Sequence, residues 1–128
     1  MARVTGIGGI FIKARDAAGL AAWYTQHLGI AMKPGEGAAF FWPDDPQTDG
    51  GMSVFSAFPQ DSKYFDPSPS QFMINFRVDD LDALLAKLES GRVAIDPKRE
   101  EAEYGRFAWI YDPAGNKVEL WEPPKTKK

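Results

Sequence analysis

The chain has 128 residues, and 15 Lys and Arg against 18 Asp and Glu leave a net charge of −3 with the single His neutral. This length suits one ordinary domain with a radius of gyration of roughly 14 Å. A 44% hydrophobic and 13% aromatic content is enough to fill a core, which excludes the disordered and fibrous classes. There is no cysteine, so disulfides, cysteine-based zinc sites, iron–sulfur clusters and a thiol nucleophile are excluded. A cysteine-free chain folds in any redox environment, and the default expectation is a cytoplasmic protein.

In chain order, Met1 to Phe11 carries Arg3 and a short apolar stretch, which Lys13, Arg15 and Asp16 interrupt too early for a signal peptide or a membrane span. Residues 6–14 read as a strand. Gly8 and Gly9 adjoin within it, which predicts a bulge or the close approach of another backbone or ligand. Residues 17–28 place Leu20, Trp23, Tyr24 and Leu28 at helical spacing, with Asp16 at the N-cap and Gly29 at the stop. Residues 37–42 and 51–58 are short strand-like runs. Residues 59–70, PQDSKYFDPSPS, contain Pro59, Pro67 and Pro69 and read as a connector. Tyr64 and Phe65 are large for a bare linker and are expected to dock onto the fold. Residues 71–78 form the next strand. Residues 81–90 form a helix with Leu81, Leu84, Leu85 and Leu88 on one face, Asp80 as cap, Asp82 at the positive end and Gly91 at the stop. Strand-like runs at 92–95, 105–111 and 117–121 follow, the last two flanking the turn sequence Asp112-Pro113-Ala114-Gly115-Asn116, which predicts a hairpin. Lys125, Lys127 and Lys128 make the only basic cluster and read as a solvated tail. No basic face for nucleic acid arises.

An offset of 64 residues aligns the halves: Ile10 falls on Ile74, Lys13 on Arg77, Asp16 on Asp80 and Leu20 on Leu84. The expected class is α+β: two βαβββ modules, 1–58 and 71–128, joined by the connector 59–70 into one structural domain. A sheet with helices on one face must meet something on the other. Two such sheets curling together form a curved, mixed β-sheet cup with the helices outside, and a small molecule in that cup is the natural inference.

The run Gly6-Ile7-Gly8-Gly9-Ile10-Phe11-Ile12-Lys13, then Asp16, Trp23-Tyr24 and Leu28-Gly29-Ile30, resembles the opening of the vicinal oxygen chelate superfamily, the glyoxalase, bleomycin-resistance and extradiol-dioxygenase proteins. Phe76-Arg77-Val78-Asp79-Asp80-Leu81-Asp82 resembles its second strand–helix junction. Tyr104-Gly105-Arg106 with the run from Asp112 to Pro123 is similar to its final hairpin. The resemblance implies a glyoxalase-like fold and, in active members, one divalent metal acting as a Lewis acid in the cup. The ligand positions it implies fall on Gly9, on Ser53, Val54 or Phe55 depending on register, on Met73 and on Glu119. Glycine offers no side chain and methionine is a poor ligand for Mg, Mn or Zn, so the expectation is no metal and no cofactor.

Alternation puts Lys117, Glu119 and Trp121 on one face of the last strand and Val118 and Leu120 on the other. The resemblance turns the face of Glu119 toward the cup, as a general base or a partner for a cationic ligand. Parity lines the cup with Gly9, Phe11 and Lys13 and with Met73, Asn75 and Arg77. The expected ligand-binding residues are Phe11, Met73, Asn75, Arg77 and Trp121, with Glu119 the catalytic candidate. The faces of Arg106, Trp109 and Tyr111 stay open. His27 lies on the first helix, outside the cup, and no Ser-His-Asp arrangement exists. The leading expectation is a metal-free protein holding a small organic ligand, with Glu119 and Arg77 as polar groups and, if it is an enzyme, Glu119 as base. The alternatives are a metal-dependent lyase or dioxygenase with atypical ligands, and an interaction module whose cup is closed by its own aromatics. A homodimer is expected, with neither nucleic acid nor membrane as partner.

Overall fold

A computed structural model describes residues 2–33, 37–41 and 51–124. Trp42 and the tail lysines Lys125, Lys127 and Lys128 lie outside the described residues. The elements run β1 (Val4–Ala14), α1 (Ala17–Leu28), β2 (Ala38–Phe41), β3 (Met52–Pro59), β4 (Phe72–Val78), α2 (Leu81–Ser90), β5 (Ala94–Ala102), β6 (Gly105–Tyr111) and β7 (Lys117–Glu122). All seven described strands belong to one open, mixed sheet of order β2-β3-β1-β4-β7-β6-β5. The class is α+β, with both helices on the same face.

Both helices start where the caps predict. Asp16 accepts from the Gly19 backbone N–H at 2.9 Å and Asp80 from that of Ala83 at 3.1 Å. Gly29 ends α1 in the left-handed conformation, φ 71°, which only glycine adopts freely. α2 ends differently: Gly91 has φ −85°, and the left-handed residue is Arg92, φ 62°. The Val93 N–H reaching back to the Leu88 carbonyl at 3.0 Å closes that end. Glu122 adds a second cap to α2, accepting from the Leu81 N–H at 2.7 Å.

The two central strands meet antiparallel, and Ile10 pairs with Ile74, the residues that the offset of 64 equates. On the helix-bearing face, Val78, Leu81, Leu84, Leu85, Ala108 and Leu120 form a buried cluster under α2. α1 buries none of its residues, and its Tyr24 ring meets Phe55 of β3 edge-on at 5.0 Å. β5 runs to Ala102, well beyond the short run at 92–95. Its Asp-Pro-Lys-Arg-Glu-Glu sequence is charged and proline-containing, which suits an edge strand, and its pairing shifts register between Ile95 and Arg99. The final hairpin closes on Asp112, whose carboxylate accepts from the N–H groups of Ala114 and Asn116, each at 2.9 Å.

Candidate functional site in the cup

Strand pairing assembles the site from one lateral row. Val54 of β3 pairs with Gly9 of β1, Gly9 with Asn75 of β4, Asn75 with Glu119 of β7 and Glu119 with Trp109 of β6. Lateral neighbours share a face and lie within reach of each other's side chains. Glu119 is 2% exposed, and both of its row neighbours donate to it: Asn75 Nδ2 to Oε2 at 2.7 Å and Trp109 Nε1 to Oε1 at 3.2 Å. The third donor comes from residues 59–70. The Tyr64 hydroxyl gives Oε1 a bond of 2.6 Å.

Tyr64 and Phe65 dock, as their size predicts, and they dock into the cup. Phe65 is fully buried and forms a core cluster with Phe11, Met73 and Trp109. The Tyr64 ring stacks on Phe58, 5.6 Å between centroids and 17° between planes, and meets Trp109 edge-on at 6.1 Å.

Burial raises the Glu119 carboxyl above its ordinary value, while its bonds from Tyr64, Asn75 and Trp109 pull the other way. Burial, then the Glu119 charge and the bond to it, push the Tyr64 phenol far up, so Tyr64 stays a neutral donor. Lys117 donates to the Tyr64 carbonyl at 2.8 Å, and burial lowers its ammonium's pKa. Burial and then the hydrogen bond to Asp96 push Tyr111 up to about 12.

The sequence-predicted residues distribute as follows. Phe11, Met73, Asn75 and Glu119 come together in the cup. Arg77 sits one step along the sheet, paired with Trp121 and with Gly6. Trp121 closes that end of the cup and donates to the Tyr104 carbonyl at 2.8 Å. Trp109, whose face alternation left open, lines the cup, while Arg106 turns away to the carboxylates of Asp82 at 2.7 Å and Glu101 at 3.1 Å. Tyr64 and Trp109 are the partners of Glu119 that the sequence did not name. The size of Tyr64 was its signal; Trp109 needed the β6–β7 register.

The expected bulge falls at Gly8. Ile7 pairs with Phe76 and Gly9 with Asn75, leaving Gly8 as the extra residue. A Cβ at Gly8 would lie 2.2 Å from Asn75 Oδ1 and 3.0 Å from Trp121 Cε3. The Gly8→Ala variant is therefore expected to push Asn75 off Glu119 and to lose about 1–3 kcal/mol, read as a lower urea midpoint. A midpoint equal to the parent's would show that the Asn75 side chain is not held against Gly8.

Register also fixes which of Ser53, Val54 and Phe55 takes the second of the implied ligand positions. The residue opposite Gly9 is Val54, which packs against the cup cluster. Gly9, Val54 and Met73 supply no oxygen or nitrogen side-chain donor, and Glu119 is surrounded by neutral donors. Among the described residues no group of three or more His, Cys, Asp or Glu could hold a metal ion. This donor set does not fit a divalent metal.

The sequence profile of the Glyoxalase/Bleomycin resistance protein/Dioxygenase superfamily matches residues 6–120, and the chain belongs to that superfamily. Methylmalonyl-CoA epimerase from Mycobacterium tuberculosis is similar in structure, with 25% identity, a TM-score of 0.64, and 95% of this chain and 90% of that one covered. A Streptomyces coelicolor methylmalonyl-CoA epimerase variant in complex with 2-nitronate-propionyl-CoA shares the fold at 21% identity and a TM-score of 0.71, covering 98% and 99% of the two chains. A superfamily member from Vibrio splendidus does so at 17% identity and a TM-score of 0.56, covering 95% and 99%. No curated protein matches the sequence. No described helix is long and apolar enough to cross a membrane.

Proposed function

We propose that the protein binds a small organic ligand in the cup without a metal ion. Glu119 and Arg77 supply the polar groups, and Phe11, Met73, Asn75 and Trp121 supply the lining. The observation that carries this reading is the row Val54–Gly9–Asn75–Glu119–Trp109, where the one carboxylate is buried among neutral donors and, among the described residues, belongs to no cluster of three or more His, Cys, Asp or Glu. An apolar concavity with a few convergent polar groups is the usual form of a ligand site. Tyr64 and Phe65 fill the cup in this structure, so a ligand that reaches Glu119 takes the place of the Tyr64 hydroxyl. In a metal-free reaction Glu119 would then be the base, its proton affinity raised by burial.

Native mass spectrometry with elemental analysis of the purified protein tests the reading. The expected result is no stoichiometric Mn, Fe, Ni or Zn, together with an organic adduct from a panel that includes methylmalonyl-CoA, the substrate class in the relatives' names. A stoichiometric ion that is lost in Glu119→Gln would overturn it in favour of a metal-dependent lyase or dioxygenase. A second reading, an interaction module with a self-filled cup, draws on the complete burial of Phe65. Neither metal nor any adduct would favour it.

The proposal includes a homodimer in the cytoplasm. Exposed apolar side chains support association: Phe41 is 68% exposed, Leu28 60% and Phe72 58%. Sedimentation equilibrium is expected to give twice the chain mass of 14.2 kDa; a monomer would remove this part.

A further inference from the structure

We propose that the ligand is an organic anion whose charged group is held at the mouth of the cup by Lys13, Lys98 and Lys117. The inference rests on the ligand-binding reading above and adds the chemical class. The three ammonium groups come from β1, β5 and β7, and they converge on the aromatic rings that fill the cup. Lys13 Nζ lies 4.9 Å from the Phe65 ring centroid. Lys98 Nζ lies 5.6 Å from that of Trp109. Lys117 Nζ is 5.8 Å from Tyr64 and 5.6 Å from Trp109.

Among the described residues no carboxylate forms an ion pair with any of them. The ion pairs among the described residues are all on Arg106, with Asp82, Glu101 and Glu122. This arrangement is unusual in a chain of net charge −3, where acids outnumber bases. Asp96, Asp66 and Glu119 act on Lys117 only from beyond ion-pair range, and Lys98 repels it. The Asp96 carboxylate is already engaged by the Tyr111 hydroxyl and by the Lys98 N–H. Two like charges share the Trp109 ring, and a ring face alone leaves them short of a counter-charge. An anion between them supplies one through charge-assisted hydrogen bonds.

The occupant of the cup indicates the rest of the ligand. The Tyr64 ring stacks on Phe58 while its hydroxyl reaches Glu119, so an aromatic or amphipathic body with a hydrogen-bond donor at its far end meets the same groups. The anion stays at the lysine rim, where Tyr64 and Phe65 enter.

Fluorescence titration of the full chain with two dyes tests this. 8-Anilinonaphthalene-1-sulfonate and N-phenyl-1-naphthylamine share a ring system, and only the first carries a sulfonate. The sulfonate is expected to bind at least about tenfold more tightly. Its affinity is expected to fall about tenfold in Lys13→Gln/Lys98→Gln/Lys117→Gln, with the neutral dye unaffected. Because Lys117 also braces Tyr64, Lys13→Gln/Lys98→Gln provides a variant that keeps the brace, and it is expected to show part of the same loss. Lys33→Gln/Lys87→Gln removes equal charge elsewhere and is expected to change nothing. Equal binding of the two dyes, or an equal loss in the Lys33/Lys87 control, overturns the anion site and leaves the cup as a ligand site. Binding of neither dye overturns both.

Discussion

The Glu119→Leu variant is expected to lose about 3 kcal/mol of stability, a large share of the roughly 5–15 kcal/mol that holds a domain of this size together. Leucine is close to glutamate in volume, so cavity formation is not the cause. The donors are. Asn75 Nδ2 and Trp109 Nε1 lie on β4 and β6, inside a sheet whose register holds them on either side of Glu119. Neither can turn to water, and an orphaned buried donor costs about 1–3 kcal/mol. Glu119→Gln is expected to behave differently. Its amide oxygen serves Tyr64 and Trp109, and its NH2 finds Asn75 Oδ1, which has no hydrogen-bond partner among the described residues, once the Asn75 amide rotates. Urea midpoints of the three proteins check this. Leucine as stable as glutamate would show that the three donors do not depend on the carboxylate.

The pH dependence carries a defined sign. Burial raises the Glu119 pKa in the folded state, so the folded chain holds that proton more tightly than the unfolded chain does. Its contribution to stability is complete below the unfolded carboxyl value, about 4.3. It is lost as pH rises through the folded value. Asp82, Asp96 and Asp112 have lowered pKa values through bonds to Arg106, Tyr111 and Asn116 respectively. They give the opposite slope, lost as pH falls, but parent and variant share them. The midpoint difference between parent and Glu119→Gln isolates Glu119. It is expected to move in favour of the glutamine variant as pH rises above the unfolded carboxyl value, and a flat difference would refute the assignment.

Local signals were legible where one residue's chemistry decides the structure. Asp16 and Asp80 cap helices, Asp112 closes a hairpin, and adjacent Gly8 and Gly9 mark a bulge. Alternation correctly put Glu119 with Lys117 and Trp121, and Asn75 with Met73, because a strand's period depends on no partner. Which strands sit side by side is not a local property. Asn75 and Glu119 are 44 positions apart, and only the β4–β7 register makes them neighbours. Trp109 was ambiguous for the same reason, and Ser53, Val54 and Phe55 could not be separated until β3 was paired with β1. β5 extends past the run at 92–95 into a charged outer half, as edge strands do, and that charge hides the period on which a strand assignment relies.

Phe65→Ala separates the fold from the function. Phe65 is fully buried, edge-on to Phe58 at 5.3 Å and packed with Phe11, Met73 and Trp109. Truncating such a side chain costs about 3–5 kcal/mol, the removed contacts plus the cavity left behind. A residue that only fills a core would weaken every property of the protein together. A residue that occupies the ligand's place would not. If the cup accepts a ligand only when Tyr64 and Phe65 withdraw, the observed affinity is the intrinsic affinity reduced by the fraction of molecules in that open state. Removing the phenyl ring raises that fraction. Phe65→Ala is thus expected to unfold at lower urea while binding 8-anilinonaphthalene-1-sulfonate more tightly at temperatures well below its own transition. The two measurements must move in opposite directions. Weaker binding alongside weaker folding would mean that Phe65 contacts the ligand rather than competing with it. Unchanged binding would mean that the ligand never enters the space Phe65 fills.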